Sequence, residues 1–440
     1  MKQPVTRRQA IAATVATAGV FLTACGTRPR KTDQPVQETV PRYRDEAVTV
    51  VAAFAGSQAE LEMRQAQVDA FKQKFSRITI DFQTISGNRF EWLTTRFAAG
   101  TPPDLVYMNE QNQNPIAQGG VLVDLAPYVK TDKELKPELY YRDLWEAGKF
   151  EGKLVSIPQE VSPIVVYYNV SLFENATLPA PRDNWTWEDL LVIAQRLTKV
   201  GPEGTVWGIN RNATWWGGFC PFVFTNGGDL MDKERKRVTF NTPENREAFQ
   251  FIVDLMHKHK VMPPPGTDPP QNAFQIGTVA MGIAGAWNVT PYNNYARQDP
   301  AFRFDVVRFP RKKSQLGIAA TLVYGIAQQS KVPGATWELL RFLCLREGQE
   351  FVARATFAVP SMNDPRLVEL FVTANPMPKN ARAFVEQAKE LRMDWFVPKF
   401  QDMQREWTAA LEPMWRGEKS VADALAELDQ RINRSILGVS

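Results

Sequence analysis

Catalysis near neutral pH commonly rests on histidine, cysteine or paired carboxylates, and this chain of 440 residues is poor in the first two. Its two histidines, His257 and His259, stand in Met256-His257-Lys258-His259-Lys260 at the end of an apolar helical pattern. Cationic side chains there meet the negative end of a helix dipole, which accounts for the pair better than a metal site does. Cys220 and Cys344 lie in Gly-Phe-Cys-Pro-Phe and Arg-Phe-Leu-Cys-Leu, with no CxxC and no zinc spacing. They read as buried free thiols, with pairing left open should the fold bring their Cα atoms into disulfide range. Neither histidine lies near a GxSxG, so a Ser-His-acid triad has no basis. Glycoside hydrolysis needs two carboxyl groups roughly 5 to 10 Å apart, and no acidic pair is singled out. The expectation is therefore a protein that is not an enzyme, with no catalytic residue, no metal and no cofactor.

The third cysteine, Cys25, has another use. Lys2, Arg7 and Arg8 precede an apolar run over residues 11–22 that is too short to span a bilayer but suits an export signal. Leu22-Thr23-Ala24-Cys25 resembles the bacterial lipobox, in which cleavage falls before a cysteine carrying a diacylglycerol. Thr6-Arg7-Arg8-Gln9-Ala10-Ile11 also resembles a twin-arginine signal, with half of the expected hydrophobic pair, so the export route stays open. Residues 1–24 are expected to be a lipoprotein signal peptide, Cys25 the lipidation site, and residues 25–46, rich in Pro, Gln, Thr and charge, a disordered tether.

The remainder is long enough for two lobes, since single cores stop growing at roughly 250 to 300 residues. Hydrophobic residues make up 44% and charged residues 23%, and the net charge of +4 comes from 52 basic against 48 acidic residues, which gives no electrostatic case for nucleic acid. Residues 48–54 form a β-branched strand, 59–75 a helix, 78–85 a strand, 91–99 a helix ending at Gly100, and 104–108 a third strand. Such βαβαβ order predicts an α/β fold with a mostly parallel sheet, whose ligand lies beyond the carboxyl ends of the strands. Residues 151–158 look like a hairpin and 164–169 like a buried strand. The polar, proline-bounded Gln159-Glu160-Val161-Ser162-Pro163 between them suits a crossing between lobes. Further helices are predicted over 186–200, 242–259, 401–415 and 421–436, and strands over 302–309 and 321–327.

Short motifs now add up in order along the chain: Ala99-Gly100-Thr101-Pro102-Pro103-Asp104-Leu105-Val106, Gln118-Gly119-Gly120-Val121-Leu122-Val123-Asp124-Leu125, Gly152-Lys153-Leu154-Val155-Ser156-Ile157-Pro158 and Tyr167-Tyr168-Asn169. They continue in Trp185-Thr186-Trp187-Glu188-Asp189-Leu190, Phe274-Gln275-Ile276-Gly277-Thr278-Val279-Ala280-Met281, Gly285-Ala286-Trp287 and the run from Gly417 to Leu425. Together they resemble the periplasmic or lipoprotein solute-binding proteins of sugar ABC importers, the group that includes maltose-binding protein. The resemblance implies a type II periplasmic-binding-protein fold: two lobes, each a mostly parallel sheet flanked by helices, with the ligand in the interlobe cleft. It places lobe 1 at residues 47–158 and 309–360, lobe 2 at 159–308 and 361–440, and crossings near residues 159–162, 308–311 and 359–363. It implies a carbohydrate ligand, delivery to the permease subunits of an ABC transporter, a monomer, and export to a membrane-anchored position facing the periplasm or cell exterior.

Sugars present hydroxyl edges and apolar C–H faces, so their sites combine aromatic platforms with planar polar groups. Trp287, after the glycine-bearing apolar run 281–286, takes the place of the family's cleft tryptophan. Of Trp215 and Trp216, adjacent in sequence, one should face the cleft and one pack. By the same resemblance the polar contacts fall on Asn109 and Gln111 after the third strand. Ser57 and Gln58 follow the first strand, at a helix N-terminus with free N–H groups. Glu160 in the crossing and Tyr324, which would narrow the cleft, complete the set. A phosphate diester would want Arg or Lys in the cleft and a polyamine several carboxylates; no such cluster stands at the strand ends, which favours a neutral sugar over these alternatives.

Overall fold

Strand Val48–Phe54 pairs in parallel with Ile78–Thr84, Val48 opposite Ile78 and Phe54 opposite Thr84, and Ala52 pairs in parallel with Leu105 of strand Leu105–Asn109. The β-branched side chains of these strands suit a pleated, buried surface. The helices Gln58–Lys74 and Arg89–Ala98 make the connections, so the expected βαβαβ unit is present. Each helix starts at a side-chain cap: Ser57 and Glu60 form a reciprocal capping box, and Asn88 Oδ1 accepts the N–H groups of Phe90 and Glu91. The structure, a computed structural model, describes residues 40–439 apart from 203, 211, 212 and 268. The signal peptide, Cys25 and the tether up to residue 39 lie outside the described residues.

From Val40 onward the chain is one compact unit containing two main sheets. In the larger, six strands run in the order Val359–Pro360, Ile157–Pro163, Ala319–Ile326, Leu105–Asn109, Val48–Phe54, Ile78–Thr84. The smaller places Val165–Asn169 between Met281–Ala284 and Phe304–Val307. The α/β two-sheet architecture is the expected one, but the strand directions differ. Only the βαβαβ pairs are parallel; the other pairs of the large sheet and both pairs of the small sheet are antiparallel. One cause is the connection that brings Ala319–Ile326 back from the small sheet: it enters reversed between Leu105–Asn109 and Ile157–Pro163, so both of its pairs are antiparallel.

The first crossing also takes another form. The residues expected to bridge as a polar segment, Gln159 to Ser162, lie inside strand Ile157–Pro163, all seven residues of which are buried. Sheet membership changes at Ile164, so the expected lobe boundary at residue 158 falls within a strand. The polar side chains tolerate burial because each finds a partner. Arg64 donates to Gln159 Oε1 and, at 2.5 Å, to Glu160 Oε2, and the Ala286 N–H donates to Ser162 Oγ at 2.6 Å. The chain crosses again between Val307 and Ala319 and leaves the large sheet after Pro360.

The far end of the predicted tether is docked. Val40 and Tyr43 pack against the core beneath the large sheet, Tyr43 edge-on to Phe75, and the Arg42–Tyr43 backbone lies where a Cβ on Gly334 would stand, 2.6 Å from Arg42 C. Two apolar side chains, the space at Gly334 and an Arg42–Thr131 hydrogen bond hold a stretch that composition alone marks as a linker. Cys220 is buried in the core around the small sheet and Cys344 in the core beneath the large one, and both are free thiols. His257 closes helix Pro243–His257, its Nε2 2.9 Å from the Trp415 carbonyl oxygen.

Candidate functional site

The carboxyl ends of the parallel strands Val48–Phe54 and Leu105–Asn109 deliver Ala55, Gly56, Asn109, Glu110 and Gln111 to one wall of a cavity of about 250 Å³. Glu160, Ser162 and Thr321 form its floor, and Trp215, Trp216 and Trp287, from segments beside the small sheet, form the facing wall. Two further cavities continue from it. One of about 480 Å³ shares Trp215 and Trp287 and extends along Phe274, Tyr292 and Pro270. Another, of about 670 Å³, shares Arg89, Asn109 and Gln111 and extends towards Gln401, Gln404 and Thr408 on helix Phe400–Ala410. Aromatic faces thus dominate one end and carboxamides the other.

The aromatic wall is an ordered cluster. Trp215 and Trp287 meet edge to face with ring centroids 5.8 Å apart, and Trp215 tilts against Trp216 at 4.8 Å. Trp215 and Trp287 are half-buried and available to a ligand face; Trp216 is buried and packs edge-on against Phe396. The position expected to divide between cleft and core does so, although Trp216 still contributes part of the cavity wall.

The polar floor is satisfied from within the protein. Glu110 accepts the Thr321 N–H and the Gln111 side-chain amide, each at 2.9 Å. Burial pushes its carboxyl above the ordinary value, and these hydrogen bonds oppose the shift. Glu160 is likewise raised by burial, with Arg64 pulling it back. Burial disfavours the Arg64 cation, but Glu160, Tyr324 and Tyr107 together outweigh it and hold the guanidinium protonated. This pair, enclosed where the crossing strand meets helix Gln58–Lys74, is a structural anchor beneath the cleft.

Of the sequence-derived candidates, Asn109, Gln111, Glu160, Trp215, Trp216 and Trp287 come together around the central cavity. Ser57 and Gln58 do not line it. Ser57 is committed to capping its helix, and Gln58 Nε2 donates to Glu62 along the exposed helix face, while Glu60, one turn in, reaches the cavity. Tyr324 does not narrow the cleft: it is fully buried behind the strands, between Phe54 and Tyr107. It stands opposite Tyr107 and Ile157 in mid-sheet, whereas Thr321 and Leu322, nearer the start of the same strand, line the cavity. Sequence reasoning missed Arg89, which has no motif to mark it. It stands at the first position of helix Arg89–Ala98 with its guanidinium 4.6 Å from the Tyr107 ring centroid, so a cation does occupy the cleft.

Two α/β sheets joined by chain crossings, with a polar and aromatic cleft between them, define a type II periplasmic-binding-protein fold. A family model described as bacterial extracellular solute-binding protein matches residues 55–350, and the chain belongs to that family. The galactooligosaccharide-binding protein of Bacillus subtilis is 22% identical over 349 residues, 76% of each chain. An ABC substrate-binding protein from Listeria monocytogenes, solved in complex with cycloalternan, superposes with a TM-score of 0.78 at 24% identity, covering 89% of this chain and 99% of its own. The sugar-binding protein MalE from Xanthomonas citri superposes with a TM-score of 0.77 at 22% identity, covering 89% and 98%.

Proposed function

We propose that this protein is the solute-capturing component of an ABC importer, that it takes a sugar or oligosaccharide into the cleft between its two sheets, and that it binds its ligand without transforming it. The observation that carries this reading is the edge-to-face pair Trp215–Trp287 lining one cavity together with the side chains of Asn109 and Gln111. Indole faces take the apolar side of a pyranose while planar amides bridge hydroxyls. Relatives that bind a galactooligosaccharide and cycloalternan support the same ligand class. Closure of the sheets about the three crossings would let a permease distinguish loaded from empty protein by shape. We place the lobes at residues 47–163 with 309–360 and 164–308 with 361–440, moving the first boundary from residue 158 to Ile164. We assign export and attachment through a lipid on Cys25, outside the cytoplasmic membrane, to a chain acting as a monomer; no helix among the described residues is long and apolar enough to cross a membrane.

The test is a thermal-shift panel of neutral and acidic mono- and oligosaccharides, glycerol phosphate diesters and polyamines, since a ligand that binds only the native state raises the melting temperature. Stabilisation by saccharides supports the reading. Stabilisation by a diester or polyamine alone, or release of shorter sugars during incubation, would replace it.

A further inference from the structure

The charge in the cleft is unevenly placed. Its three carboxylates are on the central cavity, and each is committed within the chain: Glu60 to the Ser57 N–H at 2.6 Å, Glu110 to Thr321 and Gln111, and Glu160 to Arg64. The cavity of about 670 Å³ has no carboxylate among the described residues that line it. Its wall carries the guanidinium groups of Arg89 and Arg405 among the carboxamides of Asn88, Asn112, Gln401 and Gln404. Arg405 already holds Asp402 on the exposed face of its helix. Arg89 has no hydrogen-bond acceptor among the described residues, although its charge reaches Glu110 and Glu160 in the central cavity: its guanidinium rests on the Tyr107 ring, and its Nε is buried without a partner.

A guanidinium resting on an aromatic face, with its Nε buried, leaves its Nη–H groups to meet a ligand, and a planar bidentate acceptor taken end-on is what they fit best. The position of Arg89 matters as much as its charge. It lines both the central and the third cavity, so a chain stacked on Trp215 and Trp287 and running through the centre would bring its next unit to this cation. The three cavities together also exceed the roughly 1,000 Å³ upper end of pockets that hold one small molecule. We propose that the ligand is an oligosaccharide with an acidic end, and that the third cavity is a subsite for a uronate residue whose carboxylate pairs with Arg89. Carboxamides around it serve the hydroxyls of that unit. This rests on the reading of the protein as sugar-binding and specifies the substrate class.

Titration calorimetry with a matched pair, trigalacturonate and its neutral counterpart galactotriose, tests the subsite. Trigalacturonate should bind at least about tenfold more tightly, and salt should weaken that preference. Arg89→Gln should erase the preference while Arg89→Lys keeps part of it, with ligand-free melting temperatures confirming that both variants fold. Thr408→Trp, filling the third cavity, should cost trigalacturonate affinity. Galactotriose binding as tightly as trigalacturonate, or a preference that survives Arg89→Gln, overturns the acidic subsite and leaves the sugar-binding reading standing. Failure of either trisaccharide, and of every other saccharide in the panel, to stabilise the protein defeats both.

Discussion

The indole of Trp287 lies on the backbone of Gly285: a Cβ built on Gly285 would stand 2.1 Å from the Trp287 ring and 2.7 Å from Ser162 Oγ. Trp215 covers Gly217 in the same way, with a built Cβ 2.3 Å from its ring. Both half-buried tryptophans of the cleft are therefore aimed by a glycine two residues away. Gly285 also ties the segment to the small sheet, since Tyr167 donates its hydroxyl to the Gly285 carbonyl at 2.7 Å.

Gly285→Ala should displace the Trp287 ring and weaken sugar binding by at least about tenfold, with an overpacking cost to stability of about 1–3 kcal/mol. Calorimetry on the ligand and denaturant unfolding of the free protein measure the two effects. Unchanged affinity would show that the ring orientation does not matter to the ligand.

Trp287→Ala and Trp216→Ala should fail in different ways. The half-buried Trp287 is a platform, and its loss should raise Kd more than about tenfold, or 1.4 kcal/mol, with a minor change in melting temperature. The buried Trp216 leaves a cavity, costing about 3–5 kcal/mol of folding stability. If Trp287→Ala instead loses its stability and keeps its affinity, the platform should be sought at Trp215.

Glu110 gives the cleft a pH signature. Its folded pKa is raised above 4.5 by burial, so between the unfolded and folded values the native state binds more protons than the unfolded chain. Its contribution thus favours folding at low pH and is lost as pH rises through the folded value. Glu110→Gln should flatten that part of the stability profile and raise stability at neutral pH relative to wild type. A profile identical to wild type would mean that the carboxyl titrates normally.

Saturating ligand should make the protein more compact by small-angle scattering, because closure about the strand joined at Ile164 and the two other crossings brings the sheets together. An unchanged radius of gyration would argue against a hinge.

Cys25→Ser should release the protein from the membrane fraction or leave its precursor uncut, since a diacyl chain supplies the apolar anchor. Unaltered fractionation and processing would remove the lipid from the proposal.

Much of this protein is written in local pattern. β-branched runs, helical spacing and caps mark Val48–Phe54 and Gln58–Lys74 to within a residue and Trp187–Leu197 to within three, because backbone period and capping depend on near neighbours. Trp287, Asn109 and Gln111 were legible as cleft residues because motif order carries the topology that brings strand ends together. Three features were not. The segment Gln159–Ser162 looks like a loop until Arg64, 96 residues from Glu160, supplies the charge that lets it be buried strand. Tyr324 leaves the cleft because pairing sets it opposite Tyr107 and Ile157 in mid-sheet, among rings that no local pattern announces. Arg89 joins the cleft only because helix Arg89–Ala98 sets it over Tyr107, from another strand. Local order along the chain determines which elements form; which polar groups are paired and which are left for a ligand depends on partners distant in sequence, and those distances exist only once the sheets are packed.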